Sequence, residues 1–167
     1  MALSASSMKN DIINALKSGA DTAEQANKKF GDAILKNICD NISITYAWVG
    51  VNPASGVPDP VVTFTGKVSG NGTLTPSSSL ALMLVKLATL IKGLTITASA
   101  GFTVAPLAFN PAGVLTVVMA KETKQDAAME HFCAQIITSI ISTFPNPAPA
   151  AGAHGAFTGS TTGMVIL

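Results

Sequence analysis

The chain has no arginine: all ten of its basic residues are lysine. Arginine is the side chain best suited to bidentate phosphate contacts and to reading base edges, so its absence argues against nucleic-acid recognition and phosphoryl chemistry. A net charge of +1 offers a polyanion no electrostatic footprint either. Charge of both signs is scarce, at 11% of residues where an average chain carries roughly a quarter. With 48% hydrophobic residues, such a chain leaves large neutral surfaces, and neutral surfaces usually meet other protein.

A secretory signal is not read at the start, because apolar residues after Met1 are sparse and Lys9 and Asp11 interrupt them. The longest apolar run, Leu80 to Ile91, carries Lys86 at its centre and falls short of the ~20 residues that span a bilayer. A membrane span is therefore disfavoured. Cysteine occurs only at Cys39 and Cys133, each inside an apolar helical pattern. Buried, reduced thiols are expected there rather than a disulfide, and neither spacing nor neighbours suggest a metal site.

What is present is repetition. Asp32, Ala33, Cys39 and Ile42 return in order as Asp126, Ala127, Cys133 and Ile136, and Asn52-Pro53-Ala54 returns as Asn146-Pro147-Ala148. Phe64-Thr65-Gly66, Gly70 and Leu74 return as Phe157-Thr158-Gly159, Gly163 and Leu167, after a single one-residue deletion. Both cysteines fall in register. We read an internally duplicated α+β protein, one compact domain of two halves. Residues 1–76 form the first half and 77–167 the second, with an apolar insertion around 94–120.

Each half is expected to hold amphipathic helices, then a Pro-rich loop and a short β-hairpin or strand. A first helix is read over Ser4 to Ser18 with Ser6 or Ser7 as N-cap, and a second from about Thr22 with its apolar face on Ala26, Phe30, Ile34 and Ile38. Ile42 to Trp48 alternates and suits either a strand or the end of that helix. The matching segment, Ile136 to Phe144, keeps helical spacing and favours helix to about Tyr46. Val61 to Val68 reads as a strand, with Thr73 to Thr75 pairing back as a hairpin arm. Leu80 to Lys92 reads as a helix apolar nearly all round, Leu94 to Ala98 and Phe102 to Phe109 as strands, and Thr123 to Thr143 as a long helix. Val114 to Ala120 stays open between helix and strand. Ala150 to Thr162 reads as an uncharged tail, and the apolar Met164 to Leu167 as a docked strand.

No residue set indicates a reaction, and no catalytic, cofactor or metal site is expected. His131 lies on a helix and His154 in a Gly-Ala loop; a triad would need them to converge with a carboxylate or thiol. Asp59, between Pro58 and Pro60, reads as a turn former without a second carboxylate near. Gly66, Gly70 and Gly72 have the outline of a phosphate loop but lack the Gly-Lys-Thr/Ser ending. Asn41-Ile42-Ser43 and Asn71-Gly72-Thr73 match the glycosylation pattern by chance. Trp48 beside Tyr46 reads as core or as a binding hot spot.

The amphipathic helix running into Asn52-Pro53-Ala54, followed by the Thr/Gly-rich stretch Thr63 to Leu74, resembles small structural proteins of tailed-bacteriophage virions. The resemblance is one of composition and texture over most of the chain. It implies a tail, baseplate or neck component, resident in the virion, assembled in the host cytoplasm, and working through contacts with other virion proteins or copies of itself. The chain departs from tail-tip spikes in lacking a His-x-His iron box, so a membrane-piercing tip is not implied. The expected interface residues are Val62, Phe64, Leu74, Phe157, Val165 and Leu167. A membrane-inserting, holin-like or pore-forming protein using Leu80 to Phe109 is the alternative. A binder of hydrophobic ligands is a third reading, and an enzyme the last.

Overall fold

The computed structural model describes residues 3–98, 111, 125–143 and 151–166. Four helices and five strands are seen among these: α1 (Ala5–Lys17), α2 (Ala23–Asn41), β1 (Ser43–Val51), β2 (Thr63–Ser69), α3 (Leu80–Lys92), β3 (Thr95–Ala98), α4 (Gln125–Thr143), β4 (Ala151–His154) and β5 (Phe157–Ile166). The protein is α+β. Elements from both expected halves share one antiparallel sheet, in the order β3-β2-β1-β5-β4.

The helix starts follow from their caps. Ser4 Oγ accepts from the Ser7 amide at 3.2 Å, so α1 begins two residues before the expected Ser6 cap. Thr22 Oγ1 accepts from Gln25, and Ser79 Oγ from Leu82, each satisfying one amide that the first turn would otherwise leave unpaired. Met8 and Ile12 of α1, Ile34 and Ile38 of α2, and Cys133, Ile136 and Ile140 of α4 share one core with the inner face of the sheet. Phe30 meets Phe132 at 5.8 Å, and Lys9 of α1 is ion-paired to Glu130 of α4 at 2.8 Å.

Other sequence expectations are corrected by the strands. Helix α2 stops at Asn41, and Ser43–Val51 is a strand rather than helix to Tyr46. Its alternation buries Ile44, Tyr46 and Trp48 and turns Ala47, Val49 and Val51 outward; the period of two outweighed the helical spacing of the matching segment, which lies in α4 as far as Thr143. Nor do Thr73–Thr75 form a hairpin arm. Strand β2 instead pairs with β1, Tyr46 opposite Phe64, and with β3, Val68 opposite Ile96. Leu74 is fully buried because Gly31 lets it pass across α2: a Cβ on Gly31 would lie 2.5 Å from that of Leu74.

The tail is not a loop. Ala151–His154 and Phe157–Ile166 form a two-residue hairpin in which Gly155, at φ 58°, takes the first central position that a type II′ turn reserves for glycine. Strand β5 then lies along β1 from Val51–Thr158 to Ile44–Ile166, with a bulge at Thr162 where the register shifts between Ala47 and Trp48.

The repeated residues are helical in both α2 and α4 up to Asn41 and Gln135, and the two Phe-Thr-Gly segments lie in β2 and β5, on either side of β1. At Ile42 and Ile136 the two segments part, one leading into a strand and the other staying in helix. Half-buried Cys39 sits 3.9 Å from the Gly70 carbonyl, whereas Cys133 is buried in the core; both thiols are free. The expected strand over 102–109, the segment 114–120, the second Asn-Pro-Ala and Leu167 lie outside the described residues. Among the described residues no helix is long and apolar enough to cross a membrane. Helix α3 has 13 residues, about 20 Å of rise, and directs Leu84, Leu87 and Ile91 into the core while Leu82 and Val85 are about half exposed.

Candidate functional site

The C-terminal end of β1 enters a loop whose prolines, Pro53, Pro58 and Pro60, fix φ and remove donors. The loop folds back on its own strand. Asn52 N–H donates to the Val57 carbonyl, Gly56 N–H to the Asn52 carbonyl with Gly56 at φ 71°, and Asp59 N–H to the Gly50 carbonyl at 2.8 Å. This last bond carries the Asp59 side chain under the sheet edge, where it is fully buried.

Asp59 is the centre of the arrangement. Its Oδ1 accepts from the Val61 amide at 2.9 Å, and its Oδ2 from Trp48 Nε1 at 3.0 Å. His154, the last residue of β4, places Nδ1 2.8 Å from the same Oδ2. Burial alone would raise the carboxyl pKa, but the Val61, His154 and Trp48 hydrogen bonds and the nearby imidazole outweigh it and hold Asp59 below the ordinary value. Asp59 is thus an acceptor only, and Nδ1 of His154 carries the proton. Aromatic rings close the site: Phe64 stands edge-on to His154 at 5.1 Å and to Trp48 at 5.7 Å, and Phe157 stacks on the imidazole at 6.5 Å. Gly50 gives the indole room, since a Cβ there would lie 2.6 Å from Trp48 Nε1.

A carboxylate that orients an imidazole is two-thirds of a nucleophilic triad. No hydrogen bond from a Ser, Thr or Cys side chain reaches His154 among the described residues, and none of their His, Cys, Asp and Glu side chains form a group able to hold a metal. With both carboxylate oxygens engaged below the surface, the arrangement fastens the 52–62 loop and the last hairpin to β1.

The fastened loop presents apolar surface. Val49 and Val51 on the outer face of β1, Val57 in the loop and Val62 before β2 are 59%, 44%, 55% and 64% exposed. They are gathered by the Val51–Pro58 bridge, the Asn52–Val57 bond and a Trp48 N–H to Val62 carbonyl bond. The one carboxylate in the loop is turned inward. On the rest of the outer face β1 and β2 show Ser43, Thr45, Ala47, Thr63, Thr65 and Ser69, with Lys67 as the single charge.

Of the residues expected at an interface, Val62 is exposed, Phe157 is half-buried, and Phe64 and Leu74 are buried in the core of the chain itself. Val165 stands opposite Thr45 in the sheet, and Leu167 lies outside the described residues. Sequence reading missed the convergence of Asp59, Trp48 and His154. Its one available signal was the Pro-Asp-Pro triplet, rigid enough to place a carboxylate.

A concavity of about 280 Å³ lies on α2 between Asp32, Leu35, Lys36, Cys39 and Asp40 and the Gly70–Gly72 turn. Its charges are already satisfied along the helix by the Lys28–Asp32 and Lys36–Asp40 ion pairs. Comparison with protein-family models, with curated proteins and with solved structures gave no match.

Proposed function

We propose that the chain is a structural interaction protein, a virion component of the tail, baseplate or neck type, that works through protein–protein contacts. The observation that carries this reading is the valine corner: four roughly half-exposed valines gathered on the end of β1 and the loop after it, which the Asp59 hydrogen bonds fasten. Together they offer on the order of 300 Å² of apolar surface, the size at which a patch on a monomer is often functional. A preorganised loop loses little entropy when it docks. The nearly uncharged outer sheet face around it fits the same use, since the cores of interfaces are depleted of charged residues.

The internal duplication belongs to this reading: two related segments, one fused chain, each supplying a strand beside β1. The test is sedimentation of the full chain. Concentration-dependent association, reduced by Val49→Lys with Val62→Lys, is the expected result. A chain that stays monomeric at high concentration, unaffected by those changes, overturns the reading.

A further inference from the structure

Strand β4 has little of its own to hold it. Its residues are Ala151, Gly152, Ala153 and His154, three of which carry a methyl group or nothing, and among the described residues it pairs only with Phe157–Ser160 of β5. The remaining side chain is His154, hydrogen-bonded to buried Asp59 and packed between Phe64 and Phe157. What β4 covers is the Phe157–Ser160 edge of β5. Strand β5 reads Phe-Thr-Gly-Ser-Thr-Thr-Gly-Met-Val-Ile, ten residues without a charge or a proline, and it lacks the devices by which exposed edges avoid pairing. Beyond Ser160 its one strand partner among the described residues is β1.

We propose that β4 is a releasable cover strand, latched through His154 to Asp59, and that its release lets the Phe157–Ser160 edge of β5 pair antiparallel with the same edge of a second copy of this chain. An antiparallel strand meeting its own copy is self-complementary across a two-fold axis, and an uncharged edge brings no like-charge repulsion to that axis. The proposal rests on the assembly reading only for the use made of the opened edge; the latch stands on its own contacts. His154 acts here as a positioning residue for β4.

The test compares His154→Ala and His154→Asn in the full chain, each also combined with Val49→Lys and Val62→Lys so that the valine corner is silenced. Amide hydrogen exchange of the released strand, Ala151–Ala153, is expected to quicken about tenfold or more in His154→Ala, with α2 and the β1–β2 ladder unchanged, and the variant is expected to sediment as a dimer even with the lysines present. Asparagine keeps a donor near the Nδ1 position and should restore both protection and the monomer. Unchanged exchange in His154→Ala, loss of protection throughout the chain, or a freely exchanging monomer each overturns the proposal. Failure of the valine corner shows separately, in the lysine variants with His154 intact.

Discussion

His154 Nδ1 and the buried Oδ2 of Asp59 meet at 2.8 Å although the sequence separates them by the whole of α3 and α4. This contact ties the last hairpin to the loop after β1, and it makes acid a selective perturbant. The folded-state pKa of Asp59 lies below its ordinary 3.8, so the unfolded chain takes up the proton first as pH falls. The stabilisation is therefore fully present above that ordinary value and is lost as pH drops through the lower folded value. Urea midpoints measured from neutral pH down to about 2 should fall most steeply below about 4, and Asp59→Asn should flatten that fall. An unchanged acid limb in the variant would refute the assignment.

Trp48 is the only tryptophan in the chain and is 2% exposed. Its emission should be that of a buried indole, and should shift red in Asp59→Asn and His154→Ala before global unfolding. Trp48→Ala should cost about 3–5 kcal/mol in chemical denaturation, as an aromatic core truncation does.

Two glycines of the last hairpin should respond differently to alanine. A Cβ on Gly159 would stand 2.0 Å from the Val49 carbonyl oxygen and 2.5 Å from Gly50 Cα, both backbone atoms of the neighbouring strand. Gly159→Ala must push β5 away from β1, at about 3 kcal/mol or more. Gly155 has open space around it and only its φ of 58° to defend, so Gly155→Ala should cost about 1–2 kcal/mol. Equal losses in urea titrations would contradict this packing.

The thiols should both titrate as free cysteines in denaturant, without prior reduction. In the folded protein burial pushes Cys133 up to about 12, with Glu130 adding to the rise and Lys9 opposing it, and burial with Asp40 raises Cys39 less. At about pH 8 the thiolate fraction is small at both. A thiol reagent should therefore modify half-buried Cys39 first and Cys133 only on unfolding.

Leu74 and Val62 separate core from surface within the segment where both were expected to be contacts. Leu74→Ala should destabilise by about 2–5 kcal/mol, since the side chain is fully buried over Gly31. Val62→Ala, at 64% exposure, should fall within about 0.5 kcal/mol of wild type and change association instead.

The helix starts near Thr22 and Leu80, the amphipathic face of α2 and the strand at Thr63–Ser69 were legible because each is a local signal: a hydroxyl before a periodic run, or an alternation bounded by glycine and proline. The end of α2 was not. Ile42, Ile44, Tyr46 and Trp48 fit two periods, and the choice is made by β2 and β5, which flank β1 from distant parts of the chain. Leu74 was misplaced for a related reason: its apolar character was legible, but the notch at Gly31 that receives it lies on another helix. The Asp59–His154 contact left even less trace, because a polar pair far apart in sequence has no periodicity.

Strand β1 has one neighbour that follows it closely in the sequence and another that comes far later, with Ile44 opposite Gly66 of β2 on one side and Ile166 of β5 on the other. A chain emerging from the ribosome can dock β2 on β1 early, but the other flank of β1 stays open until Phe157–Ile166 has emerged in its turn. The slow step of folding should be this late closure of a long loop, and nascent chains halted before β5 should be the species that chaperones hold.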